Sequence, residues 1–233
     1  MKNALLAVVI LLLLAGNIYF YLKSREKPAA PKALGTAAPS LPSNTPAPAA
    51  AGFKYIAPAY EINTEMLKVK SKEQELKAYA VKNKCNSQYA FVIDMRIPSF
   101  KKRFFVYDLK KDSLLTMGHA AHGTGSETFK GELVFSNVPD SRCSSLGKYK
   151  IGASYKGIYG LSYRLTGLDS TNNKALERAI VLHGNSCVPD DETYEFPICF
   201  SYGCPMVSSN FLKKLKTYID RQGKTPILLS IIY

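Results

Sequence analysis

Cys204 stands in the segment FSYGCPMVSSNF, with Gly203 before it and Pro205 after it. Glycine permits a tight, exposed backbone position, and proline prevents regular structure continuing directly past the cysteine. A thiol on such a turn is open to a substrate, and neighbouring backbone N–H groups can face a developing oxyanion. A cysteine nucleophile also needs a base to take its proton. The chain has three histidines, His119, His122 and His183, so the choice is narrow. His183, in AIVLHGNS, is the best candidate: an apolar run puts it at the end of a buried strand, and Gly184 turns the chain immediately afterwards. His122, in GHAAHGTGS, follows another strand and precedes a glycine-rich turn.

The same residues admit other readings. His183 could be a satisfied structural histidine and Cys204 an inert or disulfide-bonded residue. The five cysteines, Cys85, Cys143, Cys187, Cys199 and Cys204, could form two pairs in an oxidising compartment and leave one thiol free. His183, Cys187, Cys199 and Cys204 are also suitable residue types for tetrahedral zinc. Their gaps of 3, 11 and 4 intervening residues match ligand knuckles only weakly. GHAAHGTGS could suggest a phosphate loop, but it lacks the lysine and its glycine spacing fits neither nucleotide fingerprint, so that reading is set aside.

Several elements must hold these residues in place. Ile62, Met66, Val69, Leu76 and Ala80 recur at helical spacing and predict an amphipathic helix over 62–82. The period then changes. YAFVID at 89–94, RFFVYDL at 103–109 and SLLTMGHA at 113–120 read as strands, the last two forming a hairpin around Lys110–Asp112. Further short strands are expected at 133–135, 158–165 and 179–183, within a stretch rich in glycine and serine. Phe211, Leu212, Leu215, Tyr218 and Ile219 form a second helical stripe, with Ser208 or Ser209 as its cap. PILLSII at 226–232 reads as a last buried strand. The expected fold is mainly β, a single domain with peripheral helices rather than an α/β sheet.

The amino-terminal residues address the location. Residues 4–15 are uninterrupted and apolar, and the run extends to Leu22, nineteen residues in all. As a helix it is about 28 Å long, against a hydrocarbon core of about 30 Å. Lys2 precedes it and Lys23, Arg25 and Lys27 follow, so the flanking charges barely decide its orientation. No clean small-x-small cleavage site follows the core, which favours an uncleaved anchor over a removed signal. No cysteine follows it either, which excludes lipid attachment at a mature amino-terminal cysteine. Residues 23–59 form a basic linker rich in proline and alanine, with no apolar periodicity to pack. The expected organisation is a membrane anchor or signal segment at 1–22, the linker at 23–59 and a folded domain at 60–233 outside the cytoplasmic membrane.

Residues 61–233 carry 25 basic and 17 acidic residues. A surface of that sign attracts polyanions such as anionic lipid or acidic cell-wall polymer. Nucleic acid is set aside as a partner, because the export segment opposes it and no aromatic-interleaved basic motif is present.

With His183-Gly184, then Ser201-Tyr202-Gly203-Cys204, the chain resembles the murein L,D-transpeptidases, whose signature is a histidine followed at a distance by Ser/Thr-x-Gly-Cys. Further blocks resemble the branch of that family common in Bacteroidota. They are VID at 92–94, PSFKKRFFVYDL at 98–109, AHGTGS at 121–126, FSN at 135–137, SSLGKY at 144–149 and YRLTGLD at 163–169. Arg178 before AIVLHG and Pro205 after Cys204 belong to the same pattern, and the likeness covers about residues 60–210. Two positions depart from it. Tyr202 replaces the common histidine before Gly-Cys, although this branch often has an aromatic residue there. Met206 replaces an Asn or Arg of the wider family, so any carboxylate contact made there must come from elsewhere.

The resemblance implies an L,D-transpeptidase-like catalytic fold acting on peptidoglycan stem peptides, with Cys204 as nucleophile and His183 as base. It implies that Gly203 and the Cys204 N–H stabilise the oxyanion and that Ser201 supports the histidine or the turn. His122 is expected to line the same cleft, and Gly184, Tyr202 and Arg178 to meet the substrate. An amine acceptor would give 3–3 cross-links and water would give L,D-carboxypeptidation. A monomer is expected, with no cofactor and no metal. The competing classes are a non-enzymatic cell-wall binding module and a Cys/His metal-stabilised protein.

Overall fold

The computed structural model describes residues 62–129, 131–192, 197–221, 223 and 225–233. The expected membrane segment at 1–22 and linker at 23–59 lie outside the described residues. Among those described, no helix is long and apolar enough to cross a membrane.

Among the described residues, two α-helices and eight strands order the chain. They are α1 (Ile62–Lys82), β1 (Tyr89–Asp94), β2 (Phe104–Asp108), β3 (Ser113–Gly118), β4 (Gly147–Gly157), β5 (Gly160–Gly167), β6 (Val181–Gly184), β7 (Met206–Val207), α2 (Ser209–Arg221) and β8 (Leu228–Ile232). The strands form one sheet in the order β3-β2-β1-β8-β4-β5-β6-β7. β1 pairs parallel with β8, and β6 pairs parallel with β7. The other neighbours are antiparallel, so the sheet is mixed.

Alternation along the strands explains the burial. Phe91 and Ile93 of β1, with Phe104 and Val106 of β2, join the core that includes Phe211, Leu212 and Leu215 of α2. Ala90 and Val92, with Phe105 and Tyr107, join the core that includes Val69, Leu76 and Ala80 of α1. Successive side chains point to opposite faces, so a strand covered on both sides must be apolar throughout. β1 is buried at every position. Each large apolar side chain buried this way contributes roughly 1.5–3 kcal/mol.

α2 starts at a defined cap. The Phe211 N–H donates to Ser208 Oγ at 2.9 Å, and Asn210 Nδ2 donates to Asp190 Oδ2 at 2.7 Å. Ser208 also donates to Asp190, which ties the segment after β6 to the helix start.

The expected helices and most of the strands are present, and the mainly β fold with peripheral helices is the one observed. The expected strand at 133–135 is replaced by a single bridge between Glu127 and Leu133. β4 was not expected. It lies in the stretch rich in glycine and serine, where weak apolar alternation hides a strand that neighbours on both sides stabilise. Pro205 also interrupts less than its type implies. Its carbonyl accepts the His183 N–H at 3.5 Å, and regular pairing resumes at Met206.

Candidate active site

The turn carrying Cys204 is built by Ser201. Its Oγ accepts the Gly203 N–H at 3.2 Å and donates to the Cys204 carbonyl at 2.6 Å. Ser201 therefore supports the turn and not the histidine. Gly203 has φ +112°, and a Cβ there would lie 2.7 Å from the Cys143 carbonyl oxygen. Both the backbone conformation and the space require glycine. The turn is held from beside as well: the Ser201 N–H donates to the His122 carbonyl at 2.9 Å, and the Thr124 N–H donates to the Ser201 carbonyl at 2.8 Å.

Cys204 is half-buried and is a free thiol. Its sulfur receives the Val181 N–H at 3.4 Å and lies 3.9 Å from the Ala179 carbonyl oxygen. Burial raises the thiol pKa above the ordinary value, and the Val181 N–H and the Arg178 charge only partly oppose that rise. The resting group is a neutral thiol.

His183 closes β6. Its Nδ1 lies 3.3 Å from the Gly184 carbonyl oxygen. A carbonyl can only accept, so Nδ1 carries the proton and the Nε2 lone pair is the basic position. Burial lowers the imidazole pKa, with the Gly184 hydrogen bond acting in the opposite direction. The resting imidazole is neutral too. Tyr159, from the tip between β4 and β5, stacks on this ring at 4.7 Å between centroids.

Cys204, His183, Ser201 and Tyr202 line one cleft of about 620 Å³. Tyr159, Arg142, Thr124 and Asn185 line it as well and were missed by sequence reasoning. Tyr159 carried a usable signal, an aromatic residue between two glycines in GIYG, where a hairpin tip exposes its side chain. Arg142 had none, since loop packing alone brings it to the cleft.

Three expected site residues act elsewhere. His122 lines a separate cavity of about 90 Å³, not the cleft of Cys204. Arg103 donates to its Nδ1 at 2.7 Å, so its Nε2 carries the proton and donates to Glu127 Oε1 at 2.6 Å. Burial and the Arg103 charge push the His122 pKa down to about 3, so this contact is a hydrogen bond from a neutral ring and not an ion pair. Arg178 spends its guanidinium on the protein: it donates to the Ser136 carbonyl at 2.9 Å and to the Cys143 carbonyl at 2.6 Å. It braces the loop behind Gly203 instead of facing the cleft. Gly184 is buried against α2, where a Cβ would lie 3.2 Å from Ser209 Cα. Gly203 directs its N–H to Ser201 Oγ in this turn.

The cysteine pattern also differs from two pairs. Cys187 and Cys199 form a disulfide at the cleft wall, while Cys85 and Cys143 are buried free thiols. The pairing removes two of the four zinc ligands considered above. Among the described residues, no group of three or more His, Cys, Asp or Glu side chains converges on a metal position.

A mixed sheet with peripheral helices and a cysteine-bearing cleft at β6 and β7 defines the architecture. A family model described as the L,D-transpeptidase catalytic domain matches residues 60–226. The chain belongs to that family, and its fold is the L,D-transpeptidase-like catalytic fold. No curated protein matches it in sequence. Similar solved structures include an L,D-transpeptidase from Mycobacterium smegmatis, with 12% identity over 63% of this chain and 59% of that one, at a TM-score of 0.37. The helical cell shape determining protein Pgp2 from Campylobacter jejuni shares 11% identity over 61% of this chain and 46% of that one, at 0.39. An L,D-transpeptidase from Xylanimonas cellulosilytica shares 16% over 61% and 59%, at 0.34. The alignments thus span at most 59% of the length of these three proteins.

Proposed function

We propose that this protein is a murein L,D-transpeptidase of the Bacteroidota-type branch, with Cys204 as nucleophile and His183 as its base. The observation that carries this reading is one cleft lined by both a free thiol and an imidazole whose Nε2 lone pair is left basic by the Gly184 carbonyl. The ordered sequence blocks favour the branch.

Both groups rest neutral, so the proton moves during attack. Cys204 Sγ forms a bond to the carbonyl carbon of the diamino acid at position three of a stem peptide, and His183 Nε2 takes the thiol proton. The negative oxygen that forms is met by the N–H of Cys204. When the tetrahedral species collapses, the bond to the terminal D-alanine breaks and His183 returns the proton to the leaving amine. The thioester is then resolved by a stem amine, giving a 3–3 cross-link, or by water, giving carboxypeptidation. No step needs a cofactor or a metal.

The proposed organisation is an anchor or signal at 1–22, a linker at 23–59 and a catalytic domain at 60–233, working as a monomer on peptidoglycan outside the cytoplasmic membrane. The apolar segment at 4–22 supports export, and the Cys187–Cys199 disulfide favours an oxidising compartment. Incubation with tetrapeptide muropeptides, followed by intact-protein mass and product analysis, tests the reaction. A Cys204 adduct with released D-alanine is expected, absent in Cys204→Ala. Full activity of Cys204→Ala would overturn the mechanism, and binding without turnover would favour a wall-binding module.

A further inference from the structure

The cleft that holds Cys204 is lined mostly by neutral groups: aromatic rings, a disulfide, a methionine, hydroxyls and an amide. Among its described lining residues, Arg142 is the one side chain with a permanent charge. Its guanidinium lies over the Tyr202 ring, 5.0 Å from the centroid. Among the described residues, no carboxylate lies within ion-pairing distance of it. A guanidinium resting on an aromatic face keeps its in-plane N–H fork available for a planar anion.

The backbone beneath this side chain is clamped. Arg142 has φ 55°, its carbonyl accepts the Gly125 N–H at 3.1 Å, and the next carbonyl, of Cys143, is held by Arg178 at 2.6 Å. The loop is therefore fixed on both sides of a cation that faces open space. Such an arrangement reduces the ordering cost of binding an anion.

We propose that Arg142, supported by Tyr202, recognises a free carboxylate on one of the two residues joined by the reacting bond of the peptide acyl donor and so determines which peptides enter the Cys204 cleft. The inference rests on the reading of that cleft as an acyl-transfer site for stem peptides. The two residues joined by the reacting bond of a tetrapeptide stem offer two such groups. One is the carboxylate of the residue to be released, and the other is the carboxylate at the distal centre of the diamino acid. Both present the same planar anion to the fork.

The test uses the full chain carrying Cys204→Ala, which cannot react, and three synthetic tetrapeptides. One has both carboxylates free, one has the terminal carboxylate amidated, and one has the distal diamino-acid carboxylate amidated. Binding is measured by calorimetry at low and high salt. With Arg142 present, one amidation weakens binding about 5- to 10-fold, the range of a partly exposed charge-assisted contact, and identifies the source. Added salt narrows that difference. In Arg142→Gln the difference disappears, so the two changes are not additive. Arg142→Lys, which keeps the charge and loses the fork, falls between.

Equal binding of all three peptides, or discrimination that persists in Arg142→Gln, overturns the proposal. Turnover by the unsubstituted enzyme is measured on the same free tetrapeptide. Turnover without discrimination sinks the Arg142 role alone, and discrimination without turnover sinks the acyl-transfer reading alone. No binding of any peptide overturns both.

Discussion

Acid should destabilise this protein through His122, whose buried ring joins Arg103 to Glu127. Its pKa is about 3 in the folded state, against an ordinary value of about 6.5. Below pH 6.5 the unfolded chain takes up a proton that the folded ring refuses until near pH 3. The stabilisation is therefore full above that ordinary value and is lost as pH falls towards 3. Between pH 7 and pH 4 the loss comes to about 3 kcal/mol, at about 1.36 kcal/mol per unit of separation. That is a large share of a typical domain stability of about 5–15 kcal/mol.

Two facing groups matter to the balance. Arg103 keeps its charge throughout and opposes protonation of the ring. Glu127 has its carboxyl pKa raised by burial, so it acts in the opposite direction and offsets part of the loss. His183, also lowered by burial, adds to the loss. The comparison is therefore with His122→Asn, which cannot titrate but can accept from Arg103 and donate to Glu127. Urea denaturation at pH 7, 5.5 and 4 is the assay. The unsubstituted protein should lose about 3 kcal/mol more than His122→Asn across that range. Equal losses in both proteins, or a His122 ring that titrates near its ordinary value by NMR, would refute the reasoning. The backbone of the same residue also borders the Cys204 turn, since the His122 carbonyl accepts the Ser201 N–H at 2.9 Å.

Two further substitutions probe the turn itself. Ser201→Ala strands the Gly203 N–H and the Cys204 carbonyl in a buried setting, and should cost about 1–3 kcal/mol in urea denaturation while slowing acylation. A change below about 0.5 kcal/mol would show that Ser201 does not hold the turn. Arg178→Met removes a charge that draws the Cys204 pKa down, so the rise of Cys204 alkylation rate with pH should move to higher pH. A profile that stays in place or moves to lower pH would contradict that electrostatic role.

Much of the scaffold was legible because local pattern and tertiary environment agree. Val69, Leu76 and Ala80 of the α1 stripe and Phe211, Leu212 and Leu215 of the α2 stripe are buried, as their 3.6-residue spacing requires, and YAFVID lies in β1 residue for residue. The Gly-Cys pair was legible for a local reason, since a glycine beside a cysteine announces a special backbone position, borne out by φ +112° at Gly203. What each polar side chain does was not legible, because its partners come from distant sequence. Arg178 was expected to meet the substrate and is bound to carbonyls 35 and 42 residues away. His122 reads as a cleft residue, yet Arg103 from β2's approach draws its ring into another cavity. The cysteines have no local code for partner choice, and only folding brings Cys187 to Cys199 while burying Cys85 and Cys143 apart. Sequence alone determined the periodicities, the two helices, most of the strands and the Cys204 turn, all of which depend on neighbours along the chain. Tertiary structure decided β4, the disulfide, the separation of His122 from Cys204 and the arrival of Arg142 and Tyr159 at the cleft, because these depend on contacts between segments far apart in sequence.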